Sequence, residues 1–326
     1  MLTAVHAWGG GEASASLRLE HAERAGPDLS AVDAVLKEAV SRGVFPGAVL
    51  AVGRRTGLVH LRAVGRLSSA PASAAVQADT IYDLASLTKV VATTMAAMVL
   101  VDQGRLDLDS SVGKHLPAFT GGGRDKARVH DLLAHSAGLP SWAPLYKEVQ
   151  GKQAYLSRIA ELDLEYEPGT GSRYSDLGMI LLGAVVERVT GEGLDSWVAQ
   201  HIYRPLSMKD TLFTPGRDLR ARIAPTTECP WRRRLIQGEV RDENAYAMGG
   251  VAGHAGLFGT APDLARLAEL LLGDGVFAKD PPCRHRAPFH ERVRRARLPP
   301  HLGLGAGAGR SLGGRALVGG GLRAPA

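Results

Sequence analysis

Thr80-Ile81-Tyr82-Asp83-Leu84-Ala85-Ser86-Leu87-Thr88-Lys89-Val90 decides how this chain is read, because Ser86 and Lys89 stand three apart where an apolar helical run begins. Residues at that spacing share one helix face, so the lysine ammonium can reach the serine hydroxyl. The run continues through Val90, Val91, Met95, Met98 and Val99 and stops before Gln103-Gly104. At a helix N-terminus the serine oxygen meets the positive end of the macrodipole, which favours an alkoxide-like nucleophile. A lysine desolvated one turn on can accept its proton. An ordinary N-cap serine with a lysine reaching into solvent satisfies the same four residues.

Two observations separate these readings. Ser111-Val112-Gly113-Lys114 repeats the spacing, but it runs into His115-Leu116-Pro117 and opens no long apolar helix, so Ser86 is the candidate. Tyr174-Ser175-Asp176 follows the turn Pro168-Gly169-Thr170-Gly171 and precedes a helix over 177–189, closed by Thr190-Gly191. A phenol projected from that turn can share a proton with Lys89, and Asp176 can bind a substrate amide or orient the lysine. Asp176 as an N-cap and Tyr174 as a half-buried core residue fit the same pattern.

Working outward, Ser30 and Asp33 form a capping-box pattern, Val32, Val35, Leu36, Ala39 and Val40 line one helical face, and Gly43 stops it. The apolar runs 47–52 and 58–64, separated by Arg54-Arg55-Thr56-Gly57, predict an antiparallel hairpin. Short helices and turns fill the middle of the chain. Thr260-Ala261-Pro262-Asp263 caps a last helix over 264–272. Strands are expected again beyond it.

The 326 residues, 45% of them hydrophobic and 22% charged, suffice for one large domain or two modest ones. No apolar run reaches the length of a bilayer span, and residues 1–11 lack the basic and apolar regions of an export signal. As given, the chain reads as cytoplasmic. Cys229 and Cys283 form no Cys-x-x-Cys and have no histidine partners at metal spacing, so neither a disulfide framework nor a zinc site is implied. The net charge of +6 comes from residues 281–326, which hold nine arginines, no lysine and one acid, Glu291. That charge lacks aromatic interleaving and a reading helix, so no nucleic-acid partner is expected. The abrupt Arg, Gly, Pro and Ala vocabulary points to a change of reading frame near Asp280, which the coding DNA tests.

With these motifs in place, the chain resembles the penicillin-recognising serine hydrolases, the group of class C β-lactamases, related esterases and D-alanyl-D-alanine peptidases. The resemblance covers roughly residues 28–275. FPGAVLAVG at 45–53, TIYDLASLTKV at 80–90, LLAHSAGLP at 132–140, EPGTGSRYSDLGMILLG at 167–183 and GGVAGHAGLFGTAPDLARLAELL at 249–271 carry it, in order. It implies an α+β, β-lactamase-like fold: an antiparallel sheet flanked by helices, plus a mostly helical lobe, with the active site in the cleft between. The implied division is an extension at 1–27, a domain at 28–280 and an atypical tail at 281–326. Within the domain, the sheet lobe takes 28–80 and about 245–280, and the helical lobe about 81–244.

The family implies an acyl-serine mechanism with Ser86 as nucleophile, Lys89 as base, Tyr174 as second acid/base and Asp176 beside the substrate, without metal or cofactor. The substrate is a small ester, β-lactam or peptidoglycan-like amide. The resemblance also admits a periplasmic location. Two departures stand out. Asp176 sits where Asn is frequent, which makes an anionic β-lactam less welcome and favours ester or peptide-like substrates. The third family motif, Lys or His then Thr or Ser then Gly on a cleft strand, has its nearest match in His254-Ala255-Gly256, within a Gly-rich loop. A non-catalytic binding or regulatory relative is the alternative that this departure supports. Gly309-Arg310-Ser311-Leu312-Gly313, by contrast, cannot be a nucleophile elbow, because the glycine-rich run before it is no buried strand. His135 and Cys229 read as loop structure.

Overall fold

The computed structural model describes residues 27–273. The expected strands beyond the last helix, the arginine-rich tail and the frame change near Asp280 lie outside the described residues.

The predicted hairpin forms from strands Gly47–Arg54 and Gly57–Gly65, paired from Gly47 against Gly65 to Arg54 against Gly57. A register shift at Val52/Gly53 marks a bulge, and Gly57 closes the turn at φ +117, where a side chain would be strained. Helices Ser30–Ser41 and Ala261–Leu272 pack against this hairpin.

The first helix departs from its predicted capping box. Its N-cap position is Leu29 and Asp28 Oδ1 accepts from the Ser30 N–H, while Asp33 faces the sheet and bonds His60 Nε2 at 2.8 Å. A carboxylate one turn into the helix satisfied a tertiary partner instead of the local backbone. None of the helix's residues is buried in the described part of the protein, and Val35 is 64% exposed. The last helix begins three residues before the predicted start: Thr260 accepts from the Asp263 N–H and Pro262 occupies the first turn.

A second, three-stranded sheet has Leu257–Gly259 at its centre, antiparallel to Tyr82–Asp83 on one side and Leu212–Phe213 on the other. These short strands set Asp83 opposite Phe258, so residues far apart in sequence meet just before Ser86.

Helix Asp176–Thr190 is the axis of the helical lobe. Its residues 177–186 are all buried, as expected for a helix apolar on every side, and Gly191 ends it at φ +77. Trp197, Tyr155, Tyr203, Leu132 and Leu100 complete the core around it. The loop before Leu257 packs hard on this axis. A Cβ at Gly253 would stand 2.0 Å from the Met179 carbonyl oxygen, so only glycine fits. The result is an α+β domain with the hairpin at one end and the helical lobe at the other. Among the described residues no helix is long and apolar enough to cross a membrane.

Candidate active site

Ser86 sits in the turn that precedes the helical stretch 87–102, whose residues Lys89–Thr94 are wound as a π-helix. Ala85, just before it, has φ +46, a conformation that costs roughly 1–3 kcal/mol for a residue with a side chain. Asp83 supports that turn. Its Oδ1 accepts from the Ala85 N–H at 2.9 Å, and its Oδ2 accepts from the Arg241 N–H at 2.7 Å. One carboxylate therefore ties the Ser86 turn to the segment that leads into Asp242. Burial pushes the Asp83 carboxyl above the usual carboxylate range despite these bonds.

Ser86 is exposed and Lys89 is 4% exposed, so the hydroxyl faces solvent while the amine is shielded. Lys89 Nζ donates to Ser86 Oγ at 2.9 Å and to the His254 carbonyl at 3.1 Å. Asp176 Oδ1 lies 2.7 Å from the same nitrogen as an ion pair. Lys89 is thus held by one reactive oxygen, one backbone carbonyl and one carboxylate, at the distances a nucleophile and its base require.

Tyr174 is 52% exposed, which removes the core-residue reading, and the Lys89 ammonium lies 4.8 Å from its ring centroid. Asp176 is not the cap of its helix. Ser175 is: its Oγ accepts from the Gly178 N–H and donates to the Pro140 carbonyl. That frees the Asp176 carboxylate to turn to Lys89, the lysine-orienting role that the sequence left open. Ser86, Lys89, Tyr174 and Asp176 are therefore brought together.

His135, read as loop structure, belongs to the same cluster. Its ring packs at a tilt of 38° against Tyr174 with centroids 4.7 Å apart, and its Nδ1 accepts from the Ser175 N–H. That bond leaves Nδ1 unprotonated, and burial, followed by the Lys89 charge, lowers its pKa, so the ring is neutral near pH 7. Cys229 lies away from the cleft, buried, with Arg232 donating to its sulfur.

His254, the nearest match to the third motif, is placed otherwise. Its side chain is 1% exposed and Nε2 bonds Asp242 Oδ1 at 2.9 Å, so only its backbone carbonyl meets Lys89. Asp242 also caps helix Glu243–Ala247 through the Ala245 N–H. Burial alone would raise the Asp242 carboxyl, but the attraction and hydrogen bond of His254, the Ala245 N–H and the Lys89 charge outweigh it and hold it down at about 2.

A depressed pKa stabilises the fold above the unfolded value of 3.8, and that stability is lost as pH falls through about 2. The shift corresponds to about 2 kcal/mol. Denaturant titrations from pH 6 to pH 2 are therefore expected to show the wild type losing this stability with acid and Asp242→Asn lacking that component.

Asp176, Asp242 and His254 each offer a ligand atom within 4.8 Å of the others. A divalent ion there would compete with the Lys89 ammonium, which already stands 2.7 Å from Asp176. Ser111, of the duplicate motif, is an N-cap accepting from the Lys114 N–H.

Comparison with known proteins shows the family. The family model described as Beta-lactamase matches residues 32–321. The N-acetylmuramyl-L-alanine amidase of Bacillus subtilis (strain 168) is 35% identical over 294 residues, 80% of this chain and 66% of that protein. A putative D-alanyl-D-alanine carboxypeptidase of Escherichia coli (strain K12) is 34% identical over 283 residues, 76% and 65% respectively. The chain thus spans a little under two thirds of the length of these two curated relatives. Among solved structures, EstCE1, a hydrolase with promiscuous acyltransferase activity, superposes with a TM-score of 0.62 at 25% identity, covering 78% of this chain and 75% of that one. A class C beta lactamase from Rhodobacter sphaeroides gives 0.64 at 22% identity, covering 77% and 67%, a likeness of fold.

Proposed function

This chain belongs to the β-lactamase family, and on that premise we propose that it is a serine acyl hydrolase whose nucleophile is Ser86. The observation that carries the reading is the 2.9 Å bond between Lys89 Nζ and Ser86 Oγ at the mouth of a strained turn. In its neutral amine form Lys89 takes the hydroxyl proton as Oγ adds to the acyl carbonyl, giving an ammonium beside Asp176 and a tetrahedral oxyanion beside the helix N-terminus. Collapse of that species expels the alcohol or amine, which leaves with a proton from the Lys89 and Tyr174 pair. Water then hydrolyses the acyl-serine by the same steps in reverse, with proton transfer to the same pair. His135, neutral and packed against Tyr174, fixes the phenol's ring.

The cleft's charge selects among substrates. Asp176 and Asp242 place two carboxylates around the single lysine, so a ligand carboxylate close to Lys89 meets net repulsion. Neutral esters and peptide-like amides suit this site better than anionic β-lactams. The amidase name of one relative and the hydrolase name of EstCE1 support acyl transfer from amides and esters, and the carboxypeptidase name of another supports acyl transfer without the charge preference, since such a substrate ends in a carboxylate. A neutral p-nitrophenyl ester is expected to exceed a cephalosporin in kcat/KM, and Asp176→Asn to narrow that ratio about tenfold, roughly 1.4 kcal/mol of removed repulsion.

The experiment that tests the class is intact-mass analysis after exposure to a fluorophosphonate and to a chromogenic ester. One adduct on Ser86 with ester turnover supports it. Absence of both leaves the non-catalytic alternative standing.

A further inference from the structure

We propose that Asp242 and His254 form a positioning pair for Lys89, fixing where the base stands against Ser86. The proposal rests on the acyl-hydrolase reading of Ser86. Neither residue belongs to the serine-lysine or tyrosine motifs, and the sequence joins neither to Lys89. Three observations carry it.

First, the loop bearing His254 is stitched to the helix bearing Lys89 on both sides of the contact. Thr93 Oγ1 donates to the Gly253 carbonyl at 2.7 Å, Lys89 Nζ to the His254 carbonyl at 3.1 Å, and the Leu257 N–H to Thr88 Oγ1 at 3.1 Å. The Gly253 backbone is pressed onto Met179 with no room for a Cβ, so this loop has one seat. Moving the His254 carbonyl would move Lys89 off Ser86, and misplacement by about 1 Å can cost on the order of 100-fold in rate.

Second, the His254 imidazole is a buried polar group, which costs free energy unless it is satisfied. Asp242 satisfies Nε2 at 2.9 Å, while Nδ1 has no partner among the described residues. Packing alone would be served better by an apolar residue here. The pair therefore does something else, and its neighbour is the lysine.

Third, Asp83 joins the backbone next to Asp242 to the turn that carries Ser86. The nucleophile, the base and the pair are thus referenced to one another through a single carboxylate. The charged and titratable groups that face Lys89 are Asp176, Asp242, His254, His135 and Tyr174. Of these, Asp242 supplies the second negative charge. Removing it disfavours the protonated form of any base in the cluster.

The test uses the full chain and three variants, Asp242→Asn, His254→Gln and His254→Ala. The rate of fluorophosphonate labelling of Ser86 and the hydrolysis of a p-nitrophenyl ester are followed from pH 5 to pH 9. All rates are read well below each variant's own unfolding transition, so lost stability does not enter them. Asn retains the cap on helix Glu243–Ala247 and removes the charge. Asp242→Asn is expected to label 10- to 100-fold more slowly on the plateau above the acid limb, where the base is free in both proteins and only its placement differs, with kcat falling more than KM changes and the acid limb displaced to lower pH. His254→Ala is expected to lose at least tenfold, and His254→Gln, whose amide keeps a donor toward Asp242, to recover part of it.

Labelling of Asp242→Asn within threefold of the unaltered chain, with an unmoved acid limb, would overturn the proposal. Should that variant not fold, equal rates for His254, Gln and Ala at position 254 would overturn it. An unaltered chain that forms no Ser86 adduct at all would overturn the acyl-hydrolase reading itself.

Discussion

Ser86→Ala is expected to lower ester turnover by about 10⁴-fold or more and to abolish the covalent adduct, while leaving the fold intact. Ser86 is exposed and in a turn, so removal of its hydroxyl leaves no cavity. Lys89 keeps two of its contacts, the His254 carbonyl and Asp176. What disappears is the one oxygen among the described residues that is hydrogen-bonded to Lys89 and also faces solvent, and with it the covalent intermediate. Residual turnover would come from the oxyanion environment acting on bound substrate and water. Ser111→Ala is the matched control, since Ser111 shares the motif spacing but spends its hydroxyl on the Lys114 N–H. Its removal is expected to cost about 1 kcal/mol of cap stability and no catalytic rate. Turnover of the Ser86 variant within tenfold of the parent would mean that the acyl chemistry runs elsewhere.

The contrast between those two serines shows how much of the site was legible. Ser86, Lys89, Tyr174 and Asp176 could be named because their logic is local: a spacing of three on a helix, and a turn followed by a cap. Even there the structure redistributed one role. Ser175 took the cap that Asp176 was equally suited to, and the freed carboxylate turned to the lysine. Asp242 was not legible, His135 read only as loop, and His254 was singled out for its side chain as a third-motif match although its carbonyl is what meets Lys89, because each reaches the site by tertiary packing. His254 and Lys89 are 165 residues apart and meet through a backbone carbonyl, which no residue type advertises. The signal that did exist was the density of glycines around His254, since a glycine seated against Met179 implies a loop pressed into the core.

The fold divides in the same way. The hairpin consists of two apolar runs, in strands of eight and nine residues, around a polar turn and was readable, whereas the central sheet is built from strands of two and three residues, too short to stand out. The first helix misled in detail because Asp33 fits a capping box locally and a histidine on the neighbouring strand in three dimensions.

Lys89→Met is the second large effect, and it separates catalysis from stability. Methionine fills the aliphatic path of the lysine but supplies no charge, so Asp176 and Asp242 face each other across a buried site with nothing between them. Breaking one side of a buried ion pair costs about 3–5 kcal/mol, because the partner stays charged and desolvated. The variant is therefore expected to unfold at markedly lower denaturant and to lose ester turnover by at least about 10³-fold, since Ser86 has lost its proton acceptor. Adding Asp176→Asn to Lys89→Met removes the stranded charge. The double variant is expected to regain most of the lost stability, as read by denaturant midpoint, and none of the turnover. That pattern cannot arise if Lys89 serves only as a structural counter-ion, because restoring the fold would then restore the rate. Recovery of turnover in the double variant would assign the base to another group of the cluster, with Tyr174, whose ring lies 4.8 Å from the ammonium, the first to examine.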